Sequence, residues 1–152
     1  MASGKTHARI AGITTVSVCA AAPALVMFGQ TTPDIAAGLA IGAACGYFVT
    51  PDIDIPHRTH EEWRMIRRLP VLGRLWAAYW AAYGQLFTHR GISHAPFIGT
   101  LTRVVYGFWW VVFVPWAQLL PFQYAAWSAF MAWSAQDMLH LAADGFKFQW
   151  RI

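Results

Sequence analysis

Imidazoles and carboxylates are concentrated in three short stretches of this 152-residue chain. The hexad His89-Arg90-Gly91-Ile92-Ser93-His94 brings together two imidazoles, a guanidinium and a hydroxyl. Pro51-Asp52-Ile53-Asp54-Ile55-Pro56 carries two carboxylates, and Asp137, His140 and Asp144 follow at spacings of three and four. These side chains are the donor set of zinc, manganese or iron sites. At about 100° per residue, Asp137, His140 and Asp144 share one helical face and can aim at one target. The flanking prolines bias the Asp52–Asp54 segment to extended backbone, where residues two apart point the same way. His89 and His94 diverge by about 140° on a continuous helix. Gly91 is therefore expected to supply a turn that re-aims them, with Ser93 capping the next helix and Pro96 in its first turn. His7 is a further candidate ligand, whereas His57 and His60 read as surface residues of a basic helix.

The elements that carry these groups are strongly apolar. Hydrophobic residues make up 57% of the chain and charged residues 12%, with a mean hydropathy of +0.40, where a soluble domain carries about 25% charged residues. The nine tryptophans agree with a protein that meets membrane–water interfaces. The net charge of +4 comes from basic residues that flank apolar segments without forming a continuous basic face, so anionic lipid is the expected partner and nucleic acid is not. Cys19 and Cys45 lie inside apolar segments, which excludes a disulfide framework and a cysteine zinc site.

An all-α integral membrane four-helix bundle follows, in one domain covering residues 1–152. Its spans fall at about 9–30, 35–51, 96–117 and 122–144. Ser3 is placed to cap the first, and the small residues Ala37, Gly38, Ala40, Gly42, Ala43 and Gly46 suit close packing of the second. A secretory leader is the competing reading of the first segment; the apolar run from Leu25 to Phe28, past any small-residue cleavage region, favours a retained helix. Between the second and third spans, about 59–88, short interfacial helices are expected. Thr59 to Glu62 form a capping box opening a helix rich in Arg64, Arg67 and Arg68, and Trp76, Tyr79, Trp80 and Tyr83 make an aromatic stripe suited to core packing. Arg103, inside the third span, needs either to snorkel or to find an acidic partner. Gly145 and Lys147 are stop signals for the last helix.

Four crossings place both termini and residues 52–95 on one side, with Lys5, Arg9, Arg58, Arg64, Arg67, Arg68, Arg74, Arg90, Lys147 and Arg151. The positive-inside rule makes that side cytoplasmic, in a bacterial inner membrane. His7, Asp52, Asp54, His89, His94, Asp137, His140 and Asp144 all belong to it, although they span nearly the whole chain. Each stretch alone is more often a solvated turn or an interfacial anchor. Their convergence on one side favours a site for one or two divalent ions, zinc foremost.

Ser3-Gly4 through His7, Pro51-Asp52-Ile53-Asp54, the H-R-G-x-S-H hexad and the Asp137–Asp144 stretch resemble a family of small bacterial membrane proteins described as metal-binding. These are similar to the YdjM-like group of membrane-bound, metal-dependent hydrolases. The resemblance covers nearly the full chain and implies divalent metal binding and hydrolase activity.

The expected function is thus a metal-dependent hydrolase of a lipid or phosphoester at the cytoplasmic membrane face. His7, Asp52, Asp54, His89, His94, His140 and Asp144 are the candidate metal ligands. Asp137 is a candidate catalytic group, as ligand, orienting partner or general base, and Arg90 is a candidate binder of a phosphate oxygen or of transition-state charge. A non-catalytic protein in which the ion clamps short helices is the alternative. The metal-free lipid phosphatase type is disfavoured because no P-S-G-H element occurs. Metal transport is disfavoured because no polar track crosses the apolar spans.

Overall fold

A computed structural model describes residues 3–55 and 57–146. Among the described residues there is no strand, and the all-α expectation holds. The helices are α1 (Gly4–Met27), α2 (Pro33–Phe48), α3 (His60–Arg68), α4 (Pro70–Leu86), α5 (Ile98–Gly107), α6 (Trp116–Leu119) and α7 (Gln123–Ala143). Pro56, Lys147 and Arg151, which figured in the expected turn and charge pattern, lie outside the described residues.

Helix boundaries follow local chemistry. The Ser3 side chain accepts from Thr6 N at 3.3 Å to open α1, and Thr59 and Glu62 form the reciprocal capping box of α3. α1 and α7 close alike. Gly29 (φ 66°) and Gly145 (φ 73°) adopt the left-handed conformation, and the next residues, Gln30 and Phe146, donate back to Leu25 O and Leu141 O at 2.8 and 2.7 Å. This is the Schellman closure, which glycine makes without steric cost. Pro33 and Pro70 occupy the first turns of α2 and α4, where a missing N–H does no harm.

Of the four expected spans, α1 alone is both long and apolar enough to cross a membrane, and 11% of its most apolar stretch is buried inside the protein. The expected 96–117 span is not one helix. α5 ends at Gly107 and gives way to a 3-10 turn over Trp109–Phe113, where Val111 N donates to Phe108 O and Val114 N to Val111 O, both at 2.9 Å. The run of aromatic and β-branched side chains from Phe108 to Val114 has poor helix propensity, and Pro115 cannot continue an α-helix through its own N–H.

The tightest seam joins α2 to α7. A Cβ placed on Gly38 would lie 2.2 Å from Ala125 O, one on Gly42 2.0 Å from Ala129 O, and one on Gly46 3.0 Å from the Gln136 side chain. Three glycines four apart thus form the small-residue face that lets two backbones approach. Beside this seam, Val49, Ile53, Trp80, Tyr83 and Trp133 form the buried apolar cluster, and Trp133 Nε1 donates to Val49 O at 3.2 Å. Trp80 and Tyr83 of the aromatic stripe are therefore core residues. Tyr79 is tied outward, since its hydroxyl donates to Tyr106 O and the Tyr106 hydroxyl donates back to Tyr79 O.

Gly42→Leu should force α2 and α7 apart, at a cost of about 3 kcal/mol. Gly4→Ala, where an added Cβ meets nothing within 4 Å, should change stability by less than about 0.5 kcal/mol. Thermal unfolding of both variants in detergent checks this; equal midpoints would remove the seam from its structural role.

Candidate metal centre

The segment after α2 is a 3-10 turn, Pro51–Asp54, in place of the expected extended stretch. Ile53 N donates to Thr50 O and Ile55 N to Asp52 O, each at 3.1 Å. Pro51 favours this turn because its fixed φ suits a first helical position. At about three residues per turn, side chains two apart no longer point the same way. Asp52 and Asp54 accordingly reach His94 from opposite sides of its ring. Asp54 Oδ2 lies 3.2 Å from Nδ1, and Asp52 Oδ1 lies 3.6 Å from Nε2.

The hexad wraps around Asp54. His89 Nδ1 is 2.9 Å from Asp54 Oδ1, and the Ser93 hydroxyl donates to Asp54 Oδ2. Ser93 is therefore a partner of Asp54 and not the helix cap expected. The expected turn is present, but Arg90 (φ 61°) holds the left-handed conformation, while Gly91 has φ −80°. Ile92–His94 form a short 3-10 turn, and Pro96 falls before α5 rather than within its first turn. Packing from α5 fixes the hexad from outside, because a Cβ on Gly99 would lie 2.0 Å from Ser93 O.

α7 contributes the opposite wall. His140 is buried, stacks on His7 with ring centroids 3.8 Å apart, and has its Nε2 3.3 Å from Asp52 Oδ1. Asp144, the C-cap of α7, lies 3.2 Å from His7 Nε2. Asp137 keeps its face of α7 but not the target predicted for it. Its Oδ2 accepts from the Thr100 hydroxyl and from Arg103, whose other nitrogen donates to Ser93 O at 2.8 Å. Arg103 is 1% exposed, so it is an internal strut rather than a snorkelling residue.

Two sets of prospective ligands result: His7, His140 and Asp144, and Asp52, His89 and His94, the three donor atoms of each lying within 4.8 Å of one another. Asp52 belongs to the second set and touches His140 of the first. Asp54 and Asp137 stand outside both. The donors fit a metal on geometry as well as chemistry. His94 Nε2 and His140 Nε2 are buried without a hydrogen bond among the described residues. Donor atoms about 2.0–2.1 Å from a tetrahedral zinc lie about 3.3 Å apart, close to the 3.3 and 3.6 Å that separate these nitrogens from Asp52 Oδ1.

Charge is balanced in the same way. Burial raises the Asp52 carboxyl, but the His140 and His94 imidazoles outweigh it and hold Asp52 well below the usual carboxylate range. Burial likewise opposes ionisation of Asp54, which His89, His94 and Ser93 nonetheless hold low. For His94, burial acts downward and the two aspartates overcome it, so the imidazole is raised.

Sequence reasoning missed several participants. Gln136 is a buried neighbour with no charge to mark it. Below the imidazoles is a void of about 10 Å³ lined by His7, Gln136, Asp137 and His140, about the space of one water. His7 Nδ1, Gln136 Oε1 and Asp137 Oδ1 have no hydrogen bond among the described residues. Glu61, read only as part of a cap sequence, is buried and lines a cleft with His7 and Asp52. Its place beside Asp52 depends on α3 folding back under α1, which no local pattern encodes.

Asp52→Ala should lower bound metal more than His89→Ala, since Asp52 touches both sets; elemental analysis of purified protein checks the order. Arg103→Met should destabilise by about 3–5 kcal/mol by leaving Asp137 buried and unpaired, with Arg103→Met/Asp137→Leu recovering much of the loss. Thermal unfolding of the two variants tests this, and equal loss in both would show that the ion pair is not what Arg103 provides.

Comparison with known proteins places this architecture. A 61-residue stretch, 40% of the chain, is 31% identical to an uncharacterized protein of Aquifex aeolicus (strain VF5) and covers 36% of that protein's length. No solved structure matches significantly. A family described as uncharacterized metal-binding protein (DUF2227) matches residues 2–151, nearly the whole chain and every residue of the two ligand sets. On that match the chain belongs to this metal-binding family.

Proposed function

We propose that this protein is a membrane-embedded hydrolase of lipid or phosphoester bonds, using two divalent ions, zinc foremost, at the cytoplasmic face of a bacterial inner membrane. The observation that carries the reading is the position of Asp52. Its Oδ1 lies between His140 and His94 at 3.3 and 3.6 Å, and the same residue lines a cleft of about 160 Å³ with His7, Arg58, His60 and Glu61. A structural zinc site is closed by protein ligands, whereas a catalytic one keeps a position open toward substrate. A carboxylate of one ligand set that also touches His140 of the other, beside a cleft, has the second character. Divalent ions held there supply Lewis acidity and a nucleophilic water at neutral pH.

The chain's own residues divide the remaining work. Asp54 engages His89 and His94 through their Nδ1 atoms, which leaves each Nε2 to face the ion; a carboxylate behind a ligating histidine does this generally. Asp54 is thus an orienting group rather than a ligand. Arg90, next to His89 in the hexad, is the group proposed to bind a phosphate oxygen. Asp137 is taken up by Arg103 and Thr100 and serves as a support for the hexad. Glu61 takes over the part of general base: it lines the cleft, its Oε1 is buried without a hydrogen bond, and burial raises its carboxyl.

Membrane embedding is supported by the outer surface. Val16, Met27, Phe28, Val112, Phe113, Trp116 and Trp127 are each 66–84% exposed, more apolar surface than a soluble monomer presents. A second reading, a non-catalytic metal clamp, is favoured by the burial of His7, His94 and His140, each 6% exposed or less.

Turnover decides between them. Zinc-loaded protein should hydrolyse at least one of phosphatidic acid, p-nitrophenyl phosphate and a carboxylic ester, and chelation should abolish the activity. Glu61→Gln should cut the rate by about 10²–10⁴-fold with metal content unchanged. Full metal occupancy without turnover on any of the three supports the clamp, and turnover that survives chelation overturns the metal-dependent reading. A reporter fused at residue 60 that reads as non-cytoplasmic overturns the topology.

A further inference from the structure

A groove of about 730 Å³ lies between α1, α2 and α3, and no member of the two ligand sets lines it. Its wall on α1 is a single stripe at helical spacing: Lys5 and Arg9, then Gly12 and Ile13, then Val16. Facing it, α3 supplies His60 and Arg64, again four apart, and α2 supplies Tyr47 and Phe48. The groove is therefore divided along its length. The end near the start of α1 is basic, and no acidic side chain among the described residues lines it. The other end is apolar and open to the outside, with Ile13 58%, Val16 70% and Phe48 41% exposed. Arg64 donates to the Tyr47 hydroxyl at 2.7 Å, which holds its guanidinium over the basic end.

We propose that this groove binds an anionic phospholipid, its phosphate at Lys5, Arg9 and Arg64 and an acyl chain along Ile13, Val16 and Phe48. The inference rests on the membrane-embedded part of the proposed function and adds the ligand class and its seat. The charge division argues for this occupant. A soluble anion has no use for the apolar half, and a neutral lipid none for the three cations. The volume falls within the roughly 300–1,000 Å³ typical of ligand sites. His60 lines both this groove and the cleft beside Asp52, so the basic end of the groove and that cleft adjoin at this residue. A lipid phosphoester is accordingly the substrate class that this chain is built to present to that centre.

The test uses full-length protein in mild detergent, with dioleoyl phosphatidylglycerol or dioleoyl phosphatidylcholine added and bound lipid counted by native mass spectrometry. Phosphatidylglycerol should be retained in roughly ten-fold preference. Arg9→Gln and Arg64→Gln should each weaken it about five-fold, the loss expected per basic side chain near an anionic surface, while Arg9→Lys retains it. Gly12→Leu should also displace the lipid by filling the groove; a Cβ there meets only Tyr47, at 3.6 Å, so the helices need not move. Helix content and the thermal unfolding midpoint, measured on the same samples, establish that each variant is folded. Equal retention of the two lipids overturns the proposal, as does unchanged binding in all three weakening variants. Displacement of the lipid by an equal concentration of inorganic phosphate also overturns it, by showing that the chain contributes nothing. Selective lipid binding by protein that takes up no metal would instead sink the hydrolase reading and leave this site standing.

Discussion

The Asp54 side chain has no exposed surface, and a carboxylate so placed persists as an anion only where donors replace its water. Those donors are His89, Ser93 and His94, supplied by a hexad 35 to 40 residues further along the chain. The Pro51–Asp54 turn and the hexad are therefore mutually dependent, since neither polar cluster is satisfied inside an apolar protein without the other. The histidines that would face an ion are held by their back nitrogens before any ion arrives. That pre-organisation is what a site needs if ordering the ligands is not to consume the binding energy.

The position of this clasp is set by the close approach of α2 and α7. Gly38, Gly42 and Gly46 let the two backbones meet, and the same approach brings the end of α2 beside the end of α7. Asp52 leaves one helix just where His140 and Asp144 leave the other. α1, packed on the same pair, adds His7 by stacking its ring on His140. The centre is thus a product of helix ends, with donors from four separate parts of the chain. The Arg103–Asp137 pair links α5 to α7 and holds Ser93 O from within, so a buried ion pair outside both ligand sets bears on the hexad.

The distribution of polarity outside the centre follows the same axis. Apolar side chains cover much of the outer surface, while basic residues gather near the ends that carry the histidines. The groove lined by Lys5, Arg9 and Val16 has both characters, and it shares His60 with the cleft beside Asp52.

Much of this was legible in the residues alone. The caps at Ser3 and Thr59, the stop at Gly145 and the glycine face of α2 are local devices, encoded within four or five positions. The meeting of His7, Asp52, His94 and His140 was also foreshadowed, because these polar groups fall at the ends of apolar segments. What packing alone decided is the division of labour among those groups. Helical period fixes the direction in which a side chain leaves its own axis, but not what stands opposite. Asp137, predicted to share a target with His140, meets Arg103 from α5 instead. Asp52 and Asp54, predicted to act as a pair, take opposite nitrogens of one ring because Pro51 begins a 3-10 turn and not an extended stretch. Glu61 joins the centre only because α3 folds back toward α1. Each of these outcomes depends on a partner more than 30 residues away or on a turn's pitch, and both are chosen by the burial of charge in the assembled structure.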